Sequence, residues 1–308
     1  MKYNAVVRVE NLKKLYGSTV AVSDISFEVN EGEIFGIVGP NGAGKTTTIE
    51  CVEGLRRPTG GNIEVFGLKP LQDGYVLKQR IGIQLQESSL PPRIKTWEAL
   101  DLFSSFYSRS IDWHDLVDRL GLDNFLDTPF AKLSGGQKRR LFIGLALIND
   151  PDLIFFDELT TGLDPQARHS MWDMLREINT DGKTIFLTTH FMEEAERLCN
   201  RVAIIDMGRI VALDSPENLI RNLNIESRII FTLNGYHKTI GSDLKNLNAV
   251  TRVESIGDRV IVYGSGTTLI SDVVNFLTSK GISYSNFRTE QPNLEDVFLT
   301  LTGKKMRD

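Results

Sequence analysis

The sequence predicts an α/β fold, and three short apolar segments support this prediction. Ile34–Val38 runs through a glycine-rich turn into residues that favour a helix. Residues 153–156 and Thr184–Thr189 have the length and flanking polar residues of buried strands, and segments with helical spacing lie between them. Strands that alternate with helices form a largely parallel sheet with helices on its faces.

The composition is that of an ordinary globular protein. The chain has 308 residues, with 41% apolar and 24% charged residues, which allows one large domain or two ordinary ones. The net charge of −5 argues against nucleic acid as the main partner, because a basic surface is expected there. Cys51 and Cys199 have no metal-ligand spacing, so we expect buried packing residues in a reducing compartment.

The turn after the first buried strand has the spacing of a phosphate-binding loop. Its residues are Gly39, Pro40, Asn41, Gly42, Ala43, Gly44, Lys45 and Thr46, with Thr47 next in the helix. Backbone N–H groups of such a loop and of the first helical turn point at phosphate oxygens. We expect Lys45 to reach the β- and γ-phosphates and Thr46 to bind Mg²⁺. A glycine-rich turn without a ligand is the alternative.

The first 35 residues read as strands and turns. Tyr16 precedes a turn at Gly17, and it could stack on a nucleotide base or cover a face of the sheet; spacing alone leaves both open. Residues 62–67 form a further strand that could return to this N-terminal sheet.

The next strand, residues 80–86, ends in Gln86. Open α/β sheets bind ligands at the carboxyl ends of their strands, so Gln86 is a candidate ligand for Mg²⁺ or the attacking water. Helical spacing then dominates residues 88–148, which predicts a helical subdomain. Its first helix is expected to have Thr96 as its cap and an aromatic stripe, from Trp97 to Tyr107, packed in a core.

A second anion-binding helix start follows at residues 133–137. Ser134 can cap the helix, Gly135 and Gly136 leave their N–H groups unshielded, and Gln137 completes the pentapeptide. A single phosphate site within one chain needs only one such helix start. Two helix starts far apart in sequence are explained if two chains share each nucleotide.

Polar residues follow the two remaining buried strands. Asp157 is expected to hold Mg²⁺, and Glu158 to polarise a water in line with the γ-phosphate. Asp164 caps a helix that starts with Pro165. His190 ends the last strand beside the expected γ-phosphate. Strand-end residues with only a structural role are the alternative.

Together, residues 5–222 resemble the nucleotide-binding subunit of an ATP-binding cassette (ABC) transporter, and the pentapeptide resembles the signature of that family. The resemblance implies ATP and Mg²⁺ as ligands and Tyr16 as the base-stacking residue. It also implies Gln86 as sensor of Mg²⁺ and water, Glu158 as catalytic base, His190 as switch, and Asp164 as a contact across a dimer. Leu159 departs from the family, which usually has proline there.

The resemblance further implies a mixed α/β core with an N-terminal antiparallel β subdomain and a helical insert, over residues 1–222. It implies a head-to-tail homodimer, or a pseudo-dimer with a paralogous subunit, with two ATP molecules at the interface. Hydrolysis would drive an integral-membrane permease, which places the chain at the cytoplasmic face of the cell membrane. No apolar stretch approaches the roughly 20 residues of a membrane span.

Residues 223–308 are predicted to form a small α/β domain, either regulatory, dimer-supporting or passive. Residues 293–299 resemble the ending of bacterial drug, antibiotic and lantibiotic exporters, which indicates export. A soluble ABC-type ATPase acting on nucleic acid or ribosomes is the alternative function. A scaffold that binds ATP without hydrolysis is disfavoured by Lys45, Asp157, Glu158 and His190.

Overall fold

The computed structural model describes residues 4–86, 89–223, 226–235, 240–266 and 268–304. These residues divide into two compact units, the first ending at residue 216 and the second beginning at residue 217. The sequence predicts this boundary after residue 222. The intervening residues belong to a helix, Pro216–Asn222, and Asn224 of the expected linker lies outside the described residues.

The first unit alternates strands and helices. Its strands are β1 (Ala5–Tyr16), β2 (Thr19–Asn30), β3 (Ile34–Val38), β4 (Gly60–Val65), β5 (Ile81–Gln84), β6 (Leu153–Asp157), β7 (Thr184–Thr189), β8 (Arg201–Asp206) and β9 (Arg209–Asp214). Its helices are α1 (Lys45–Val52), α2 (Gly74–Lys78), α3 (Thr96–Ser104), α4 (Trp113–Leu120), α5 (Gly135–Leu147), α6 (Pro165–Thr180) and α7 (Met192–Leu198). Helix α8 (Pro216–Asn222) follows, and all of it except Pro216 belongs to the second unit.

A six-stranded sheet forms the centre of this unit, in the order β5-β6-β7-β3-β8-β9. The pairs from β5 to β8 are parallel, and β9 joins antiparallel. Strands β3, β6 and β7 are buried throughout, as their continuous apolar runs predict. Their carboxyl ends meet at one edge of the sheet, and the phosphate loop, Asp157 and His190 follow there. The predicted α/β class is confirmed.

An antiparallel sheet, in the order β2-β1-β4, packs against the central sheet. The link is an aromatic cluster: the Phe27 ring of β2 stacks on the Phe35 ring of β3, with centroids 5.3 Å apart. Phe186 of β7 meets both rings edge-on. Such pairs contribute about 0.5–1.5 kcal/mol each beyond burial, so they hold β3 and its loop against the N-terminal sheet.

Helices α3, α4 and α5 form the insert between β5 and β6, as predicted. Gly121 ends α4 with a φ of 60°, in the left-handed region that favours glycine. Two expectations were wrong. Lys95 occupies the cap position of α3, where its N–H donates to Glu98, and Thr96 is the first helical residue. The aromatic stripe is also not packed in a core. Trp97 and Phe106 are 36% and 60% exposed, and Phe103 and Tyr107 are half-buried, because from Phe103 onward the stripe lines an open groove.

The second unit is a smaller α/β domain. Its elements are β10 (Ser227–Leu233), α9 (Ile240–Lys245), β11 (Val250–Ile256), β12 (Arg259–Gly264), α10 (Leu269–Ser279), β13 (Tyr284–Glu290) and α11 (Leu294–Thr302). The strands form an antiparallel sheet in the order β11-β12-β10-β13, which is the split βαβ arrangement. Apolar residues of β10 and β12 pack with α9 and α10 in its core. Neither β11 nor α9 was predicted from the sequence.

Candidate active site

Two glycines of the phosphate loop, Gly39 and Gly44, leave no room for a side chain. Gly44 has a φ of 103°, and a Cβ there would lie 2.4 Å from the carbonyl oxygen of Ala21. A Cβ on Gly39 would lie 2.2 Å from the carbonyl oxygen of Ile205. Both separations are well inside van der Waals contact, so the backbone of the loop lies directly against β2 and β8.

Lys45, the first residue of α1, points back into the loop. Its Nζ donates to the carbonyl oxygen of Pro40 at 3.2 Å and lies 3.2 Å from Oε1 of Glu158. Both charged side chains are buried, at 4% and 7% exposure. Burying a charge is costly unless an opposite charge and hydrogen bonds compensate it, and this pair supplies both.

Asp157 collects hydroxyl groups at the end of β6. Thr46 Oγ1 donates to Asp157 Oδ1 at 3.3 Å, and the Thr188 hydroxyl donates to the same oxygen. Burial raises the pKa of Asp157, and these two hydrogen bonds partly oppose that rise. Hydroxyl and carboxylate oxygens are hard donors of the kind that Mg²⁺ prefers, so Thr46 and Asp157 fit that ion.

Glu158 lies at the centre of the cluster. Its Oε2 accepts hydrogen bonds from Gln86 Nε2 at 3.2 Å and from Thr161 Oγ1 at 3.3 Å. His190 Nδ1 lies 3.4 Å from the same oxygen but is not aligned for a hydrogen bond, and it has no other partner within the described chain. Gln86, which follows β5, and His190, which follows β7, thus both lie against the Glu158 carboxylate.

The backbone of Glu158 is held in an uncommon conformation. Its φ is 48°, in the left-handed region, which costs a residue other than glycine on the order of 1–3 kcal/mol. Its N–H donates to the carbonyl oxygen and the hydroxyl of Thr188, at 3.1 and 3.2 Å. Strain of this kind persists where the surroundings fix a side chain in place.

Tyr16 and Asp164 lie outside this cluster. Tyr16 ends β1 and is 40% exposed, with the Lys14 ammonium and the Arg56 guanidinium 4.9 and 5.4 Å from its ring centre. Asp164 is exposed at the start of α6, where its Oδ1 accepts from the N–H of Ala167 at 2.9 Å. Its cap role was predicted.

The predicted pentapeptide makes only local hydrogen bonds among the described residues. The Gln137 N–H donates to Ser134 Oγ, and the Ser134 N–H donates to Gln137 Oε1, which closes a capping box on α5. A Cβ added to Gly135 or Gly136 would meet no atom within 4 Å. Packing inside this chain therefore does not require either glycine.

Sequence reasoning missed Thr188 and Thr161. Thr188 pairs with Asp157 in the register of β6 and β7, so it holds both acidic residues. The available signal was a polar pair, Thr188 and Thr189, at the end of an otherwise apolar strand. No local pattern marks Thr161, because its contact with Glu158 depends on the turn after β6.

Comparison with known proteins identifies the family of this chain. The sequence model of a family described as "ABC transporter" matches residues 22–161. The chain is 38% identical over 310 residues to the Nod factor export ATP-binding protein I of Cupriavidus pinatubonensis, and the alignment covers 99% of this chain and 93% of that protein. The chain belongs to the ABC transporter ATP-binding proteins. Like the members of this family, it is an ATP-hydrolysing transporter subunit.

Solved structures of ABC transporter subunits share the fold. One is described as an ATP-binding subunit of an ABC transporter, with a TM-score of 0.65 and 28% identity over 71% of this chain and 93% of that one. Another is a dimeric ATP-binding cassette bound to ADP and Pi, with a TM-score of 0.61 and 27% identity over 68% of this chain and 98% of that one.

As the ATP-binding subunit of an ABC transporter, the chain acts together with a membrane partner. None of its helices, within the ranges that the structure describes, has both the length and the apolar character of a membrane span.

Proposed function

We propose that two copies of this chain bind two Mg²⁺–ATP molecules between them and power the export of a molecule across a membrane. The observation that carries the dimer is the open helix start at Ser134. Gly135 and Gly136 leave room for a close approach of backbone to ligand, because a Cβ added to either would meet no atom of the described residues within 4 Å. A second copy whose Ser134 helix start faces the Gly39–Thr46 loop would give that loop a second set of phosphate contacts.

The roles of the clustered residues follow from their contacts. Lys45 and the loop N–H groups would hold the β- and γ-phosphates. Thr46, Asp157 and Gln86 would hold Mg²⁺, which neutralises charge that develops on the phosphates. A phosphate oxygen close to Lys45 competes with Glu158 for the ammonium, which frees the Glu158 carboxylate to accept a proton from water. His190 would contact the γ-phosphate through the ring that already faces Glu158.

The exposed residues complete the site in the dimer. Tyr16 would stack on the adenine base, because it is 40% exposed at the end of β1. Ser134, Gly135, Gly136 and Gln137 of one copy would contact the nucleotide held by the other. Asp164 and the neighbouring Gly162 lie exposed on the loop after Glu158, where a contact across the interface would reach the catalytic carboxylate. The dimeric solved cassette supports this arrangement.

An apolar groove next to Gln86 is the surface that we assign to the membrane partner. It has a volume of about 640 Å³. Its lining includes Leu55, Tyr75, Leu85, Phe103 and Phe106, of which Tyr75 is 84% exposed. Exposed aromatic side chains of this kind mark protein interaction sites. Leu85 precedes Gln86 in the chain, so a segment of the partner seated here would be coupled to the Glu158 cluster.

The direction of transport is proposed from the relatives. The protein of Cupriavidus pinatubonensis is named for export of Nod factor, and residues 293–299 resemble the ending of bacterial exporters. We infer export, with the chain held at the cytoplasmic face of the membrane by its partner. Drugs, antibiotics or peptides are the cargo classes that the sequence resemblance favours, and the acidic chain is not expected to bind nucleic acid.

The test compares two glycines that sit in the first turn of a helix with open space around them. Gly136→Glu places a carboxylate where the second copy's phosphates would lie, and Gly74→Glu is the matched control on α2. We expect Gly136→Glu to abolish ATP-driven dimerisation and to lower ATPase activity about 100-fold or more through charge repulsion, while nucleotide binding to the monomer and the Gly74→Glu variant stay normal. Full ATPase activity of Gly136→Glu, or of a strict monomer, would overturn the proposal.

A further inference from the structure

Strand β11 lies at the edge of the four-stranded sheet in the second unit. It pairs with β12 on one side, and within the described parts of the chain no strand pairs with its other side. Most of its residues are exposed or half-buried, and Ile256 is 67% exposed. An exposed edge carries N–H and C=O groups that can pair with another strand.

The sequence of β11 is chemically symmetric about Val253. Opposite charges flank this residue, then hydroxyl residues, then apolar residues: Arg252 and Glu254, Thr251 and Ser255, Val250 and Ile256. In an antiparallel pair centred on one residue, each position faces its mirror position on the second strand. A strand with this pattern is therefore complementary to a copy of itself.

We propose that β11 pairs with β11 of a second copy of this chain, antiparallel and with Val253 at the two-fold axis. Each Arg252 then faces Glu254 of the other copy. Directly opposite residues have Cβ atoms about 4.5–5.5 Å apart, closer than the roughly 6.8 Å between alternate residues along one strand. The two Arg252–Glu254 pairs that form within the strands, one in each copy at 3.2 Å, can thus be exchanged for two pairs between the strands.

The charges of β11 attract a second copy of the strand, whereas the charges that protect other edge strands from association repel one. Edges that avoid association usually carry lysines or other charges that face like charges in a self-pair. Here the two signs are placed symmetrically, and Tyr263 of β12 holds them on one face of the sheet. The Arg252 guanidinium stacks on the Tyr263 ring at 3.9 Å, and the Tyr263 hydroxyl donates to Glu254 at 3.1 Å.

The register of β11 concentrates the interaction at its centre. The pairing with β12 shifts between Val250 and Arg252, and Thr251 donates to the carbonyl oxygen of Tyr263. From Arg252 to Ile256 the pairing is regular. The pairs formed by Arg252, Val253 and Glu254 therefore set the register, and the interface is small. It would act by raising the local concentration of one cassette near the other.

Cysteine substitution tests the register. In the full chain without nucleotide, we expect Val253→Cys to form a disulfide-linked dimer under mild oxidation. Facing Cα atoms of an antiparallel pair lie about 4.5–5.5 Å apart, within the range that a disulfide spans. Ile256→Cys is the matched control, because two copies of residue 256 would lie about 20 Å apart. No cross-link at residue 253, or equal cross-linking at both positions, would overturn the proposal.

Charge reversal tests the pairing in a second way. Arg252→Glu and Glu254→Arg each place like charges opposite one another, and we expect each to weaken self-association about tenfold or more in sedimentation velocity. The double variant restores both pairs and should recover the dimer. A double variant as weak as either single variant would refute the pairing. Circular dichroism of each variant checks that the domain remains folded.

This inference supports the proposed dimer of cassettes but is separable from it. The β11 pair forms without nucleotide, whereas the cassette dimer requires ATP. A β11 cross-link in a protein that fails to dimerise with ATP would refute the cassette dimer alone. ATP-driven dimers without a cross-link at residue 253 would refute the β11 pair alone.

Discussion

The ammonium of Lys45 and the carboxylate of Glu158 form a buried ion pair, with Nζ and Oε1 3.2 Å apart. One residue begins α1 and the other follows β6, so the pair joins the phosphate-binding loop to the loop that carries the expected base. A ligand that draws Lys45 away breaks this ion pair and leaves Oε1 of Glu158 without its cation. In the proposed mechanism, nucleotide binding and activation of the base are therefore linked through one contact.

Glu158→Gln separates these two roles. Glutamine keeps the shape and the contact with Gln86 but cannot accept a proton, so we expect turnover to fall about 100-fold or more. ATP should still bind, and the ATP-bound dimer should accumulate in size-exclusion chromatography. Glu193→Gln, which alters an exposed pair with Arg197, is the control and should hydrolyse ATP normally. Unchanged turnover in Glu158→Gln would reject the assignment of the base.

Gly44→Ala tests the shape of the loop. The variant combines a φ of 103° with a Cβ 2.4 Å from the Ala21 carbonyl, so we expect lost nucleotide binding and a lower free energy of unfolding. Gly182→Ala is the matched control, since Gly182 has a φ of 87° but open space. The control should lose only about 1–2 kcal/mol of unfolding free energy, which is the cost of placing alanine in the left-handed backbone region. Equal losses in urea unfolding would show that the close approach to β2 is unimportant.

Tyr16→Ala tests base stacking. Loss of a stacking ring costs about 1–3 kcal/mol, which corresponds to roughly 5- to 150-fold weaker ATP binding. Tyr16→Phe keeps the ring and should bind ATP like the wild type. Fluorescence titration with an adenine nucleotide measures both. If Tyr16→Ala binds as tightly as Tyr16→Phe, the ring has a structural role in the N-terminal sheet.

Glu53, at the end of α1, makes the free energy of unfolding depend on pH. It is 2% exposed, and neither carboxylate oxygen has a hydrogen-bond partner among the described residues. Burial, and then the nearby charge of Asp157, raise the pKa of Glu53 from 4.5 to about 9. Between these values the folded state holds a proton that the unfolded state has released. The free energy of unfolding therefore falls as pH rises through that range.

Glu53→Gln should remove this dependence. The difference in unfolding free energy between the variant and the wild type should grow by about 1.4 kcal/mol for each pH unit between pH 5.5 and 7.5. Urea denaturation at three pH values measures it. Glu177→Gln, an exposed substitution on α6, is the control and should show a constant difference. A constant difference for Glu53→Gln as well would contradict a protonated Glu53.

Much of the fold was readable from local sequence. The phosphate-loop spacing, the cap at Ser134, the Asp164–Pro165 start of α6 and the stop at Gly121 depend on a few consecutive residues, and the structure has helices at each of these places. Strands β3, β6 and β7 were predicted because continuous apolar runs indicate burial on both faces. Strand β11 was not predicted, because it carries charged residues and has no continuous apolar run.

The sequence by itself thus determined which chemical groups the protein has and where most of its helices and strands begin and end. Only the tertiary structure decided that Lys45 and Gln86 meet Glu158, that Thr188 holds both acidic residues, and that Phe106 stays exposed. The physical reason is the distance along the chain over which each interaction acts. Propensity and spacing act over one or two turns of helix, whereas Gln86 and Glu158 lie 72 positions apart and meet only because β5 and β6 pair in one sheet.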